Sequence, residues 1–526
     1  MGGALVEPDL EGVIVIGSGL AGLTTTLQLL QKGIKVTLLE KTDKFGGNSA
    51  KASSGINGAE TKFQSEENKD SIEAFQQDTI KSGKGLSKPD LVKTLTKNSA
   101  AAIEWLSGDY LGIDLSKVTK LGGHSHARTH RGGGKLPPGF AIISELTKKL
   151  ESYSNEAENL KIKKQASLKK LLFENNQVNG VEYILDDQIH QIKAKAVVLA
   201  TGGFSASFDG EKSLLKKYRP DLLNLPLTNG VQTTGDGQRI AERDVGAKLI
   251  HMDHIQIHPT GFVQLKPNDE LSSAANKWKF LCGELIRGIG GILISPQTGG
   301  RFVNELSTRD IVTDAIDKNC HISQKNLYGI EEDKKICLIV VGEKDYLKAK
   351  NHIDFYMFQN LMFKGTIKDL AKRVKDLNPY TEVKEDDLKN TLISYNKIIK
   401  SQGDRYGRLD FGNEFNLEQE LYYGLVTPSI HFSMGGIEIN QYGQAQNKEG
   451  QVIPNLYAVG EVSGGVHGGN RLGGSSLLEC VVFGTVFPAF SNIGIENTSI
   501  QNEFDVSYPN SWLALQLARN EKDFNF

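Results

Sequence analysis

The strongest constraint in the sequence is a short apolar run that breaks directly into glycines: Val13-Ile-Val-Ile16, then Gly17-Ser-Gly19-Leu-Ala21-Gly22. Such a run before a glycine turn reads as a strand, and Leu20, Leu23, Leu27 and Leu30 then recur at helical spacing until Gly33 ends the pattern. Ile34, Val36, Leu38 and Leu39 form a second strand that closes on Glu40. A strand, a G-x-G-x-x-G turn, a helix and a second strand ending in an acid make the βαβ unit that binds a dinucleotide. The first glycine permits the turn, the second lets backbone reach a pyrophosphate, and the third lets helix and strand pack closely. The helix N-terminus offers N–H groups and positive potential to the phosphates. Glu40 can accept both hydroxyls of an adenosine ribose, and an acid there disfavours the 2′-phosphate of NADP. The competing reading is a glycine turn in an ordinary α/β domain; against it stand the strand, the helix and the terminal acid in register.

Further glycine-rich stretches extend the theme. Glycine is 56 of 526 residues, about 11% against a usual ~7%. Phe45 to Gly55 is small and polar, as expected where backbone wraps a flat ligand. From Leu160 to Leu199 short strands alternate with turns at Asn175-Asn176 and Asp186-Asp187, a β-meander leading into a strand that ends in Ala200-Thr-Gly-Gly203. Residues 255–430 are more helical and richer in Lys and Asp, and read as an inserted second domain. Asn455 to Gly474 again pairs an apolar strand with a glycine loop and is expected to return to the dinucleotide domain. The tail from Glu496 shows one short helical pattern near Trp512 to Ala518, with no function attached.

Composition excludes other classes. Sixty-one Lys and Arg against 63 Asp and Glu give a net charge of −2, so neither a nucleic-acid surface nor a polybasic membrane patch is signalled. The longest apolar runs fall far short of the ~18 residues a membrane span needs. The first residues carry neither a basic amphipathic segment nor a signal-peptide pattern, so a cytoplasmic protein is expected, or an organellar one if a presequence was removed. Cys282, Cys320, Cys337 and Cys480 lie far apart without a C-x-x-C, which argues against zinc and against a redox pair.

Glu40-Lys41 followed by Gly46-Gly47-Asn48, the Ala200-Thr-Gly-Gly203 strand end, and Gly460-Glu461 before His467-Gly-Gly-Asn-Arg-Leu-Gly-Gly474 together resemble one flavoprotein family. The chain resembles the soluble FAD-dependent fumarate reductases of fungal type, relatives of the succinate dehydrogenase flavoprotein subunits, from about Val13 to Ile493. The resemblance implies an α/β fold: a Rossmann-like FAD-binding domain in two parts, 1–254 and 432–495, an inserted α+β capping domain, 255–431, and a tail, 496–526. It implies that FAD is held by Gly17, Gly19, Ala21, Gly22, Glu40, Lys41, Gly47, Asn48, Ser49, Ser54, Gly55, Thr201, Gly202, Asp236, Glu461 and Leu477. A dicarboxylate would lie between the domains, bound by His258, Gly283, Glu284, His431, Arg471 and the backbone of Gly474, with Arg309 as the active-site arginine and Glu284 and Arg287 on its proton route. Gly283 departs from the family, which often carries threonine there, so a side-chain contact to substrate is missing.

The residue types suit the reaction. Hydride addition to one carbon of fumarate drives negative charge onto the neighbouring carbon and its carboxylate, which Arg471, His258 and His431 would stabilise; a planar guanidinium fork suits a carboxylate best. An arginine holds its proton far above neutral pH, which makes Arg309 an unusual acid, but a developing carbanion is more basic still. Each residue also has a bland reading: structural histidines, domain-interface salt bridges, or, for Glu284 and Arg287 at i and i+3, a solvated helical pair. His124, His126 and His130 invite a metal, but partners at ligand spacing are absent and a glycine-rich loop near the flavin is expected.

Membrane-linked relatives carry a histidine joined covalently to FAD in the segment matching Asn48 to Gly58; none stands here, so the FAD is expected to be non-covalent and the enzyme to work mainly as a reductase. No haem motif, iron–sulfur cysteine set or second dinucleotide fingerprint is visible, so electrons come from an external donor, with reduced free flavin the candidate, and a monomer is expected. The alternatives are a related flavoenzyme acting on urocanate or L-aspartate, and a flavin-binding protein without turnover, which a broken catalytic set would favour.

Overall fold

The computed structural model describes residues 4–490 apart from 155–157, 209, 264–276 and 326–330; the helical pattern near Trp512 lies outside them. The strand Leu10–Ile16 is buried from Gly12 onward, as a run without polar alternation must be when both faces of its sheet are covered. It pairs in parallel with Lys35–Leu39 on one side and with the end of Gln188–Leu199 on the other. Leu160–Lys163 and Val452–Ala458 extend this parallel sheet outward, and Gln444–Gln446 adds an antiparallel edge. The helices Leu20–Gln31 and Ser475–Phe490 pack against each other beside it.

The meander begins later than its sequence pattern suggests. Ser167–Glu174, Gln177–Leu185 and Gln188–Leu199 form it, whereas Leu160–Lys163 joins Lys35–Leu39 in the parallel sheet. Its two-residue turns, Asn175-Asn176 (φ 54° and 59°) and Asp186-Asp187 (φ 50° and 58°), are left-handed throughout, the backbone that matches the twist of paired strands.

A separate antiparallel sheet contains Ile255–Phe262, Leu421–Ser433, Cys337–Gly342, Ile292–Ile294 and Met362–Gly365. Cys337, Ile339 and Val341 face one core, with Leu285, Ile286, Val312 and Ile316; Leu338 and Val340 face the other, with Leu370, Val374, Leu388 and Leu392. The charged stretch Lys364 to Lys400 supplies that second cover: the helices Ile367–Leu377, opened by a Thr366/Asp369 capping box, and Glu385–Ser401 turn their leucines inward. The region read from sequence as more helical than its surroundings is organised around five strands. No helix among the described residues is long and apolar enough to cross a membrane.

Candidate active site

A cavity of about 790 Å³ runs from the glycine turn to a group of arginines and histidines. Every residue expected to hold the cofactor lines it except Gly22. Gly22 acts one layer back: a Cβ there would stand 1.8 Å from the Gly17 carbonyl oxygen, so only glycine lets the helix Leu20–Gln31 start against the turn. Gly17 itself has φ +100°, and a Cβ would meet the Ala200 carbonyl at 2.3 Å.

Glu40 is held at the turn, its Oε2 accepting from Ser18 N–H (2.9 Å) and Oγ (2.6 Å) and its Oε1 from Thr42 N–H (2.8 Å) and Oγ1 (2.9 Å). Lys41 pairs with Asp236 at 2.9 Å, and Asn48 donates to Thr233 Oγ1 while accepting from Gly230 N–H. The cradle suits a flavin dinucleotide in chemistry: a carboxylate and a helix N-terminus at one end, residues 48–55 along it, and cations at the other.

At the cationic end, Arg309 opens the helix Arg309–Asn319 and is gripped by two side chains. Its Nε and Nη2 reach Glu284 Oε2 at 2.9 and 2.8 Å, and its Nη1 donates to Gln256 Oε1 at 2.8 Å. Gln256 then donates to the Arg471 carbonyl (2.9 Å) and to Asn470 Oδ1 (3.1 Å), tying the two arginines' segments together. Glu284 Oε1 accepts from Gly122 N–H at 2.8 Å, and Arg287 Nη2 lies 3.9 Å from Glu284 Oε2. Glu284 and Arg287 are 1% and 0% exposed, so the solvated-pair reading is wrong.

Arg471 lies over the Phe432 ring at 4.5 Å, and the rings of His258 and His431 stand 5.1 Å apart. Arg309, His431, Arg471 and Gly474 line the cavity. His258, Gly283, Glu284 and Arg287 do not line it and stand behind that wall. At Gly283 a Cβ would stand 2.6 Å from Ser53 Oγ and 3.4 Å from the Tyr356 hydroxyl, so these two side chains occupy the space a threonine would need.

Burial, followed by the charge of Arg309 and, further down, those of Arg287 and Arg471, holds His258 well below the usual histidine range. It is neutral, and because Thr260 N–H donates to its Nδ1 (3.2 Å), the proton sits on Nε2, a buried donor with no partner among the described residues. Burial and the two arginines likewise hold His431 low; its Nδ1 lies 2.7 Å from Thr228 Oγ1. Arg471 is pushed down to about 9, by burial and then by Arg309, and its Nε is a second orphaned donor. Burial works against the Glu284 charge, but Arg309 and Arg287 outweigh it and hold the carboxyl below its usual range.

Sequence reading missed Gln256, Ser53 and Tyr356. Gln256 was reachable: it lies two residues before His258 on the strand Ile255–Phe262, where period two puts both on one side. His124 and His130 are structural, held by the Gly473 carbonyl (3.0 Å) and by Thr61 Oγ1 (2.7 Å), and burial pushes both down to about 4. Among the described residues no cluster is arranged to hold a metal ion.

Residues 12–477 match the family described as the FAD binding domain. The chain belongs to this family. Its cofactor is FAD. Fumarate reductase 1 of Saccharomyces cerevisiae is 46% identical over 485 residues, covering 90% of this chain and 97% of that protein. A fumarate reductase of Schizosaccharomyces pombe is 39% identical, over 90% and 87%. The open conformation of a flavocytochrome c3 fumarate reductase superposes with a TM-score of 0.67 at 31% identity, covering 91% of this chain and 78% of that one. These matches bear out the resemblance drawn from the motifs, and with it the α/β FAD-binding fold.

Proposed function

We propose that the protein reduces fumarate to succinate, with protonation by Arg309. The observation that carries this is a wall of two buried arginines and the neutral His431 at the end of the FAD cavity, with an orphaned donor on Arg471 and a second on the neutral His258 directly behind it. Such a wall calls for an anion with acceptors at both ends, and a flat dicarboxylate supplies them. Reduced FAD supplies hydride from N5 when bound. Arg471, His258 and His431 bind and orient the carboxylates, and take up the charge that develops on them. Arg309, fixed by Glu284 and Gln256, gives its proton to the carbanion, and Glu284, ionised at rest, relays a proton from Arg287 that restores the Arg309 cation. A monocarboxylate such as urocanate would leave part of this donor set unpaired, so the dicarboxylate reading is preferred.

In this reading residues 1–254 and 432–495 bind FAD and residues 255–431 cap it. The FAD is held non-covalently. The external donor is a reduced free flavin, for which Phe140 and Phe355, both partly exposed at the cavity rim, offer stacking faces.

The test is steady-state fumarate reduction with reduced flavin as donor. Arg309→Ala loses nearly all activity while keeping bound flavin. Arg309→Lys keeps the charge but misplaces the proton, and loses at least about 10²-fold. Activity within about threefold of wild type in Arg309→Ala would eliminate proton delivery by this residue.

A further inference from the structure

Arg309 and Arg471 belong to different cores. The helix that Arg309 opens buries Val312 and Ile316 against the five-stranded sheet, while Leu472, next to Arg471, lies in the core of the parallel sheet. Proton transfer needs these arginines in one geometry, and one short turn reaches both segments. The helix Ile72–Ser82 ends at Gly83, and Lys84 follows with φ 52°, a left-handed backbone unfavourable for a lysine. On one side, Ser82 Oγ donates to the Asn470 carbonyl (2.8 Å), Asn470 Nδ2 donates to Ser82 Oγ (2.8 Å), and Gly469 N–H donates to the Gly83 carbonyl (2.8 Å). On the other, Lys84 Nζ pairs with Asp310, the residue after Arg309.

We propose that Lys84 is a positioning residue for the reaction, and that the turn Ser82–Lys84 is a brace setting Arg309 against Arg471. The inference rests on the reading of Arg309 as proton donor. Ser82 anchors the brace to the Arg471 loop by buried hydrogen bonds, which salt does not weaken. Lys84 anchors it to Asp310 by an ion pair whose side chains are 55% and 30% exposed, which salt does weaken. The brace thus has a permanent end and a screened end, and its screened end is the one attached to the proton donor's helix.

The experiment measures kcat at saturating fumarate, so that screening of the substrate's own charge does not enter. At low ionic strength Lys84→Met lowers kcat about threefold, within the range an exposed ion pair can supply. KM and the bound-flavin spectrum stay unchanged. Lys84→Arg restores the rate, Asp310→Asn reproduces the loss, and the double variant loses no more than either single one. In 1 M salt, where the Debye length is about 3 Å, wild type and Lys84→Met converge. Lys120→Met, which removes the separate Lys120–Asp410 pair (2.9 Å), leaves kcat unchanged. Wild-type kcat in Lys84→Met at low salt, additive losses with Asp310→Asn, or an equal loss in Lys120→Met would each overturn the brace. An inactive Arg309→Ala beside a normal Lys84→Met rejects the brace alone, whereas an active Arg309→Ala rejects the proton-donor reading beneath it.

Discussion

A cation at the first residue of a helix faces the positive end of the helix dipole, and Arg309 sits there beside a second buried guanidinium, Arg471. Only a close counter-charge makes that tolerable, and Glu284 provides it with two contacts under 3 Å. Among the described residues none of the ion pairs involves Arg471, which in the proposed reading leaves its guanidinium to a carboxylate of the substrate. Arg471→Ala should therefore raise KM and lower kcat together, and Arg471→Lys should recover little, because a point charge cannot replace a fork; steady-state fumarate kinetics decide this, and near-normal values for the lysine variant would remove Arg471 from the clamp. Glu461 allows a different test. Burial pushes its carboxyl up to about 7, from an ordinary value of 4.5. Between those values the folded protein keeps a proton that the unfolded chain has released, so this group's contribution to stability falls as pH rises from 4.5 to 7 and is flat above. Glu461→Gln, which cannot ionise, should stabilise flavin-free protein at pH 8 by up to about 3 kcal/mol and much less at pH 5. Melting curves at the two pH values check it; an equal gain at both would show that Glu461 does not titrate in this window.

At the scale of elements, the strand, turn and helix from Leu10 to Gln31 were legible because each residue's constraint is local: apolar strand, glycine where the turn needs it, leucines at helical spacing. Gly22 shows how tight the requirement is. Gly22→Ala, whose methyl would stand 1.8 Å from the Gly17 carbonyl oxygen, should push the helix off the turn and lose FAD, seen as colourless protein after purification. Full flavin content in that variant would mean that the turn can yield. The five-stranded sheet was not legible for the opposite reason. Ile255–Phe262 pairs with Leu421–Ser433 across some 160 residues of chain, and a run such as Cys337–Gly342 reads alike as a strand or as a buried helix turn. The meander's turns were found and its first strand misplaced, because turn residues mark where a chain reverses but not which neighbour a strand chooses.

Over the whole molecule, the cofactor joins distant segments: its cavity draws on residues from Ile16 to Cys480. FAD held only by packing and hydrogen bonds should come away intact on acid or heat denaturation, leaving a colourless precipitate; yellow precipitate would point to a covalent link. Re-adding FAD at about 100 times its Kd should raise stability by roughly 2.7 kcal/mol, read as a higher Tm. The sequence by itself determined the dinucleotide unit, the order of the glycine motifs and the residues that match a fumarate reductase, since these rest on backbone conformation and spacing along the chain. Only the tertiary structure decided that Glu284 and Arg287 are buried, that Gln256 joins the two arginines' segments, that His258 is neutral with an orphaned N–H, and that Lys84 reaches Asp310. Burial and protonation depend on which groups meet in space, and here those groups come from two cores that the chain builds out of widely separated segments.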